Sequence, residues 1–321
     1  MFQDKVIINE LTRLISQLHI SDAFITFRNK QYAVTSENKL SYLTSILYSE
    51  CYALKESYQS GTDNRQFDFT QTDDAFTEFL SQNNHSKNKT EENWIVKSFY
   101  PNGYLEITKE NEIRIVAASA LLNIPAGATA ETGQIVTVLF PKEDKYRQPT
   151  FYYVFSNQYF NASQKLTRIY WNCTSEGAAV LVNAVTSKLN HYNIPFLFKC
   201  LNHPNLYFRR DAAVLYIEDS MLSIINMILP EICEEMKEYL QEDVPLFAYA
   251  YAKGVGIAES PNEYESFGMN RAAIIAETLL KTASKNRDAN AILNEITSAF
   301  SNRGINPKAT YLNKGSKIIF N

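Results

Sequence analysis

The hydrophobic period changes along this chain, and that change limits the folds open to it more than any single motif. Between Val6 and Leu18 the apolar positions Ile7, Ile8, Leu11, Leu14, Ile15 and Leu18 recur at three and four, the mark of an amphipathic helix. A second helix is expected from about Glu37 to Ser57, and between the two AFITF and QYAV flank the polar RNK as a short hairpin. The polar tracts 58–72 and 82–93 carry no apolar period and read as surface loops around a short helix at 74–81. From Trp94 the period becomes two: WIVKSFY, the turn PNG, YLEIT, the turn KEN, EIRIVAAS, then QIVTVLF and TFYYVFS. That pattern predicts an antiparallel meander, with Asn102-Gly103 supplying a tight turn. After Asn161 strand-like tracts (168–172, 195–201, 212–217, 245–251) interleave with helical ones (about 175–190, 219–241, 261–285, 288–302). The strict strand, helix, strand repeat of a doubly wound sheet is missing, so the expected class is α+β. It comprises an N-terminal helical region (1–92), the meander, and a mixed α/β C-terminal half, the last two forming one unit over 93–321.

Charge then narrows the partners. Lys and Arg number 31 against 35 Asp and Glu, a formal charge of −4, which leaves no global basic field for nucleic acid or an anionic membrane. Any anion site must be local. No apolar run approaches the roughly 18 residues of a membrane span. The start MFQDKVIINELTRL lacks the unbroken apolar stretch of a signal peptide, so a cytoplasmic protein is expected. Cys51, Cys173, Cys200 and Cys233 form neither a disulfide framework nor a C-x-x-C pair, and His19, His85, His191 and His203 never take H-E-x-x-H spacing. A metal enzyme is therefore not expected. G-x-S-x-G, the P-loop pattern and the protein-kinase signatures are also missing from the sequence. KGVGIAES has one G-x-G without the third glycine of a dinucleotide fingerprint.

Cations on or beside the C-terminal strands are the chemical signal that remains. In RIYWN, alternation puts Arg168, Tyr170 and Asn172 on one face and Ile169 and Trp171 on the other. In PFLFKCL it sends Phe196, Phe198 and Cys200 one way and Leu197, Lys199 and Leu201 the other. A lysine on an apolar face either extends its ammonium to water or is desolvated into a usable base. YFRRDAAVLY sets Arg209, Arg210 and Asp211 at the mouth of an apolar strand, as an anion site or as a local Arg-Asp pair. Ser260, Pro261 and Glu263 read as a helix-capping box. Gly268, inside the helix that follows, suggests close approach of another backbone or of a ligand, with Phe267 and Arg271 one turn apart.

These tracts resemble the HopA-type effector family, whose related domains act as lyases in class V lanthipeptide and thioamitide biosynthesis. The resemblance runs over about residues 95 to 321 and rests on TFYYVFSN, RIYWN, IPFLFKCL, YFRRDAAVLY, VPLFAYAYAKGVGIAESP, SFGMNRAAIIAE and YLNKGS, in that order. The family's usual glycine before FY is Thr150 here, and the proline usual before its glycine in the PLF tract is Lys253. The resemblance implies β-elimination of phosphate from phosphoserine or phosphothreonine in a ribosomal precursor peptide, giving dehydroamino acids. Such chemistry needs a base for the Cα proton, cations for the phosphate and a donor for the enolate oxygen, with no metal or organic cofactor. Lys199 is the candidate base, with Tyr153, Tyr170 and Tyr207 as acids or enolate donors. Arg168, Arg210, Arg271 and Lys253 are the phosphate-binding candidates, and the first three are expected to converge on one concave site. The partners implied are the phosphorylated precursor peptide and a separate phosphotransferase. Two rival readings use the same residues differently: a non-catalytic effector-like module that binds a phosphate-bearing ligand such as a pantetheine group or a partner protein, and a scaffold for the companion kinase.

Overall fold

A computed structural model gives the architecture and describes residues 2, 4–28, 30–54, 70, 72–125, 127–262, 265–282, 288–316 and 318. Most of the polar tract 58–72, the last turn expected of the helix ending at Ser57, Glu263 of the capping box and positions 283–285 lie outside the described residues. The fold is α+β, with antiparallel sheets and seven α-helices among the described residues.

Helix α1 (Lys5–Gln17) starts where the Asp4 carboxylate accepts from the Val6 amide, and it buries Ile7, Leu11 and Leu14. Strands β1 (Leu18–Ile20), β2 (Phe24–Phe27) and β3 (Lys30–Ala33) form a small antiparallel sheet, so the expected hairpin gains a third strand from the residues that end the first helical pattern. Helix α2 (Lys39–Leu47) passes into a π-helical turn at Tyr48–Ala53, and α3 (Asp74–Gln82) is capped by Asp73.

The expected meander holds for its first three strands, and the placement of the two later tracts is corrected. Strands β4 (Lys89–Phe99), β5 (Tyr104–Lys109), β6 (Glu112–Ala117) and β7 (Ile135–Phe140) make a four-stranded sheet in the order β6-β5-β4-β7. Gly103 takes φ +79° in the β4–β5 turn, as the Asn-Gly signal requires. Strand β7 does not pair with β6; residues 118–134 carry the chain across to the far edge, where β7 pairs with β4. TFYYVFS leaves this sheet altogether. With β8 (Glu143–Gln148), strand β9 (Phe151–Phe155) enters a seven-stranded antiparallel sheet with β10 (Leu166–Trp171), β11 (Phe196–Leu201), β12 (Ala213–Glu218), β13 (Tyr249–Ala252) and β14 (Val255–Glu259). Its order is β13-β14-β10-β12-β11-β9-β8. Period-two patterning marks a strand but not its partner, which depends on contacts remote in sequence. The β8–β9 turn places Thr150 at φ 70°, the left-handed region that glycine tolerates best.

The large sheet is covered on both faces, which explains why its central strands read as nearly continuous apolar runs. Ile169, Trp171, Phe196, Phe198, Leu215 and Ile257 share one core with helices α4 (Ala178–His191) and α5 (Leu222–Met236). The opposite face contributes Tyr170, Val214 and Ala258 to a second core. That core is shared by α1, α2, the π-helical turn, α6 (Phe267–Thr282) and α7 (Ala289–Asn302). The N-terminal helices thus bury their apolar stripes against C-terminal elements rather than against one another alone.

Candidate functional site

A cleft of about 870 Å³ opens between that second sheet face and the N-terminal elements. Strand register shows how the sequence builds its floor. Lys199 pairs with Tyr153 on β9 and Val214 on β12, and Tyr216 pairs with Leu197 on β11 and Arg168 on β10. Residues directly opposite in an antiparallel ladder project to the same face, so Tyr153, Lys199, Tyr216, Arg168 and Tyr170 stand together on the floor of the cleft. The facing wall comes from residues 30–52, chiefly Tyr32, Tyr42, Tyr48, Glu50 and Tyr52.

Three groups on the floor set its electrostatics. The half-buried Lys199 ammonium lies 4.2 Å from the Phe151 ring centroid and 3.5 Å from the Tyr153 hydroxyl. Arg168 is buried and fixed: its Nε donates to Ser260 Oγ at 2.8 Å and its Nη2 to the Glu265 carbonyl at 2.7 Å. Its guanidinium sits 5.1 Å from the Tyr216 ring centroid. Burial alone would raise the Tyr216 phenol, but the charges of Lys199 and Arg168 outweigh that and hold it below its ordinary value of 10.0. Tyr170 behaves oppositely. Burial pushes its phenol up to about 12, and its hydroxyl lies beside Tyr52 and Arg168 without a well-formed hydrogen bond to either.

At the inner end lies a buried ion pair. Arg209 grips Asp211 through Nε at 2.8 Å and Nη2 at 2.9 Å, and the Tyr48 hydroxyl donates to Asp211 Oδ2 at 2.8 Å while accepting from Arg209 Nη2 at 3.1 Å. Burial opposes the carboxylate, yet Arg209 and the Tyr48 bond keep Asp211 below its usual 3.8. The local Arg-Asp pair read from YFRRD is therefore present, but it is buried and lines the cleft.

The structure separates the remaining candidates. Of Arg168, Arg210 and Arg271, only Arg168 lines the cleft, so the expected convergence of all three is corrected. Arg210 is buried beneath the N-terminal segment, with Nη1 on the Cys51 carbonyl at 3.4 Å and Nε 3.5 Å from Asp243. Arg271 is buried at 1% exposure and binds the Thr310 and Leu312 carbonyls at 3.0 and 3.3 Å, tying α6 to the C-terminal segment. Burial lowers its guanidinium to about 10. Lys253 stands half exposed beside Glu242 at the β13–β14 turn, away from the cleft. Tyr207 is a core residue whose hydroxyl donates to the Leu201 carbonyl at 2.8 Å, with burial raising its phenol well above the usual range. Tyr153 and Tyr170 do line the cleft.

Close approach at Gly268 is real, but the neighbour is a ring: a Cβ there would fall 2.5 Å from Tyr52 Cε1. Tyr216, Tyr48 and Tyr52 were not among the sequence candidates. Alternation did offer a signal for Tyr216, which shares parity with Val214 in AAVLYI; nothing local marks Tyr48. Among the described residues no group of three or more His, Cys, Asp or Glu side chains is placed to hold a metal ion, and no helix is long and apolar enough to cross a membrane.

Comparison with known proteins places this arrangement. Residues 143–312, more than half of the chain and every strand of the large sheet, match the model of the HopA1 effector protein family. The chain belongs to that family. Two solved effector structures align with it, each at TM-score 0.46. The effector protein from Pseudomonas syringae pv. tomato strain DC3000 is 12% identical, covering 87% of this chain and 97% of that one. The effector protein from Pseudomonas syringae pv. syringae strain 61 is 17% identical, covering 87% and 99%. No curated protein matches. The HopA1 match takes in the cleft floor, whereas the wall built from residues 30–52 lies outside it.

Proposed function

We propose that the cleft is a lyase site that eliminates phosphate from phosphoserine or phosphothreonine in a peptide. The observation that supports this reading is the grouping of a phenol with two cations on one sheet face: Tyr216 between Lys199 and Arg168. A site that only binds phosphate needs the cations; a phenol held below its ordinary value of 10.0 beside them adds a group better able to serve as a proton acceptor.

In the proposed reaction Arg168, held by Ser260 and the Glu265 carbonyl, takes the phosphate. The Tyr216 phenolate accepts the Cα proton, the electron pair forms the Cα–Cβ double bond, and the Cβ–O bond breaks to release inorganic phosphate. Lys199 keeps the phenolate accessible and donates to the oxygen of the developing enolate. The strand-face argument assigned the base to Lys199 itself, and the two assignments part in experiment. A separate phosphotransferase installs the phosphate.

The test follows loss of phosphoric acid from a synthetic phosphopeptide by mass spectrometry. Wild type should eliminate, and Tyr216→Phe should lose roughly 10²–10⁴-fold in rate while still binding the peptide. Lys199→Arg, which retains a cation, should keep measurable activity. Full activity in Tyr216→Phe together with a dead Lys199→Arg would return the base to Lys199. An inactive wild type that still binds phosphopeptide would replace the lyase by the effector-like binding module. Activity should rise with pH along a limb lying below 10.0, because the reactive form is the deprotonated phenol.

A further inference from the structure

The wall of the cleft that lies outside the HopA1 match is wired into its floor. Leu54 forms a β-bridge with Arg209, the Arg210 amide donates to the Ala53 carbonyl at 2.7 Å, and Arg210 Nη1 reaches the Cys51 carbonyl. The π-helical turn Tyr48–Ala53 is thereby zipped along the RRD tract. A π-turn inserts an extra residue into the helical repeat and re-aims the side chains around it. Here it stacks Tyr48 on Tyr52 at 5.4 Å between centroids and delivers the Tyr48 hydroxyl to Asp211 and Arg209.

We propose that Tyr48 is a positioning residue for the chemistry on the sheet: by bonding Asp211 and Arg209 it makes the N-terminal helical segment part of the working site. The proposal rests on the lyase reading for its consequence in activity but not for its physical test. Tyr216 on β12 lines the same cleft as Lys199 from β11, Arg168 and Tyr170 from β10, and Asp211 from the loop that leads into its own strand. Asp211 in turn faces Arg209, Tyr48, Tyr52 and Lys199. The Asp211 carboxylate is the negative member of the set and opposes ionisation of Tyr216. A hydroxyl donating to that carboxylate disperses its charge, so loss of the hydroxyl strengthens the opposing field.

Two readouts on the full chain separate this coupling from the lyase reading. In the first, the Tyr216 phenol is titrated by NMR with ring-labelled tyrosine, with no substrate present. Tyr48→Phe should move its midpoint upward by about half a pH unit, and 3-fluorotyrosine at position 48, a stronger donor, should move it downward. In the second, the pH dependence of elimination should shift with the titration: about threefold slower on the rising limb, with the high-pH plateau recovered. A merely structural role would lower the plateau instead. Identical Tyr216 titrations in wild type and both variants would overturn the inference, and the fluorinated chain decides alone if Tyr48→Phe does not fold. Shifted titrations in a protein that eliminates nothing would uphold the coupling and refute only the lyase reading.

Discussion

Replacing Gly268 by alanine sets two physical effects against each other. Gly268 lies in the first turn of α6, and intrinsic propensity favours alanine inside a helix by about 1 kcal/mol. Against this, the added Cβ would meet the Tyr52 ring at 2.5, 2.6 and 2.8 Å from Cε1, Cδ1 and Cζ. The ring has nowhere to retreat. It is 3% exposed, stacked on Tyr48 and flanked by Tyr170 and Phe267 at centroid distances of 6.4 and 6.2 Å. Overpacking of a filled core costs about 1–3 kcal/mol, and three ring atoms inside contact distance argue for the upper end. Subtracting the propensity gain leaves Gly268→Ala less stable by about 2 kcal/mol. Urea unfolding should show the lower midpoint with an unchanged slope. In a Tyr52→Leu background the clash is gone and alanine should become the stabilising residue, a coupling of about 3 kcal/mol across the cycle. A stabilised single variant would refute the reasoning, because it would mean that the Tyr52 ring does not pack against α6.

The buried Arg209–Asp211 pair predicts an acid-sensitive term: the folded value of Asp211 is depressed below 3.8, so its contribution is complete above that pH and is lost as pH falls through the lower folded value. Urea midpoints measured from pH 7 downward should show that loss in wild type and lack it in Asp211→Asn. Asp211→Ala should cost about 3–5 kcal/mol at pH 7 by removing the carboxylate that neutralises the buried Arg209 guanidinium. Arg168 and Arg271 should separate cleanly: Arg168→Met weakens phosphopeptide binding by about 1.5–3 kcal/mol, measurable by calorimetry. Arg271→Met leaves binding unchanged but lowers the urea midpoint by about 1–3 kcal/mol of stability, since the Thr310 and Leu312 carbonyls lose their donor.

Local patterning was enough to place most elements. The three-and-four spacing in Val6–Leu18 places α1, the period of two marks WIVKSFY and YLEIT as strands, and Asn102-Gly103 turns the chain between them. The same alternation assigned Arg168 and Tyr170 to one face of RIYWN and Lys199 to one face of PFLFKCL, because parity along a regular strand is a property of the backbone alone. Where the backbone is irregular, parity says nothing. Between Tyr207 and Ala212 the chain is in turns apart from the single bridge at Arg209, and that is why Arg209 lines the cleft while its neighbour Arg210 is spent clamping the N-terminal segment. Strand pairing was also out of reach, since which ladder β7 and β9 join is decided by burial of whole faces between segments far apart in sequence. The same holds for the cleft. The floor could be read residue by residue, but Tyr48 and Tyr52 enter it only because the apolar stripes of α1 and α2 find their cover on α6, α7 and the sheet, a long-range packing choice that no local period encodes.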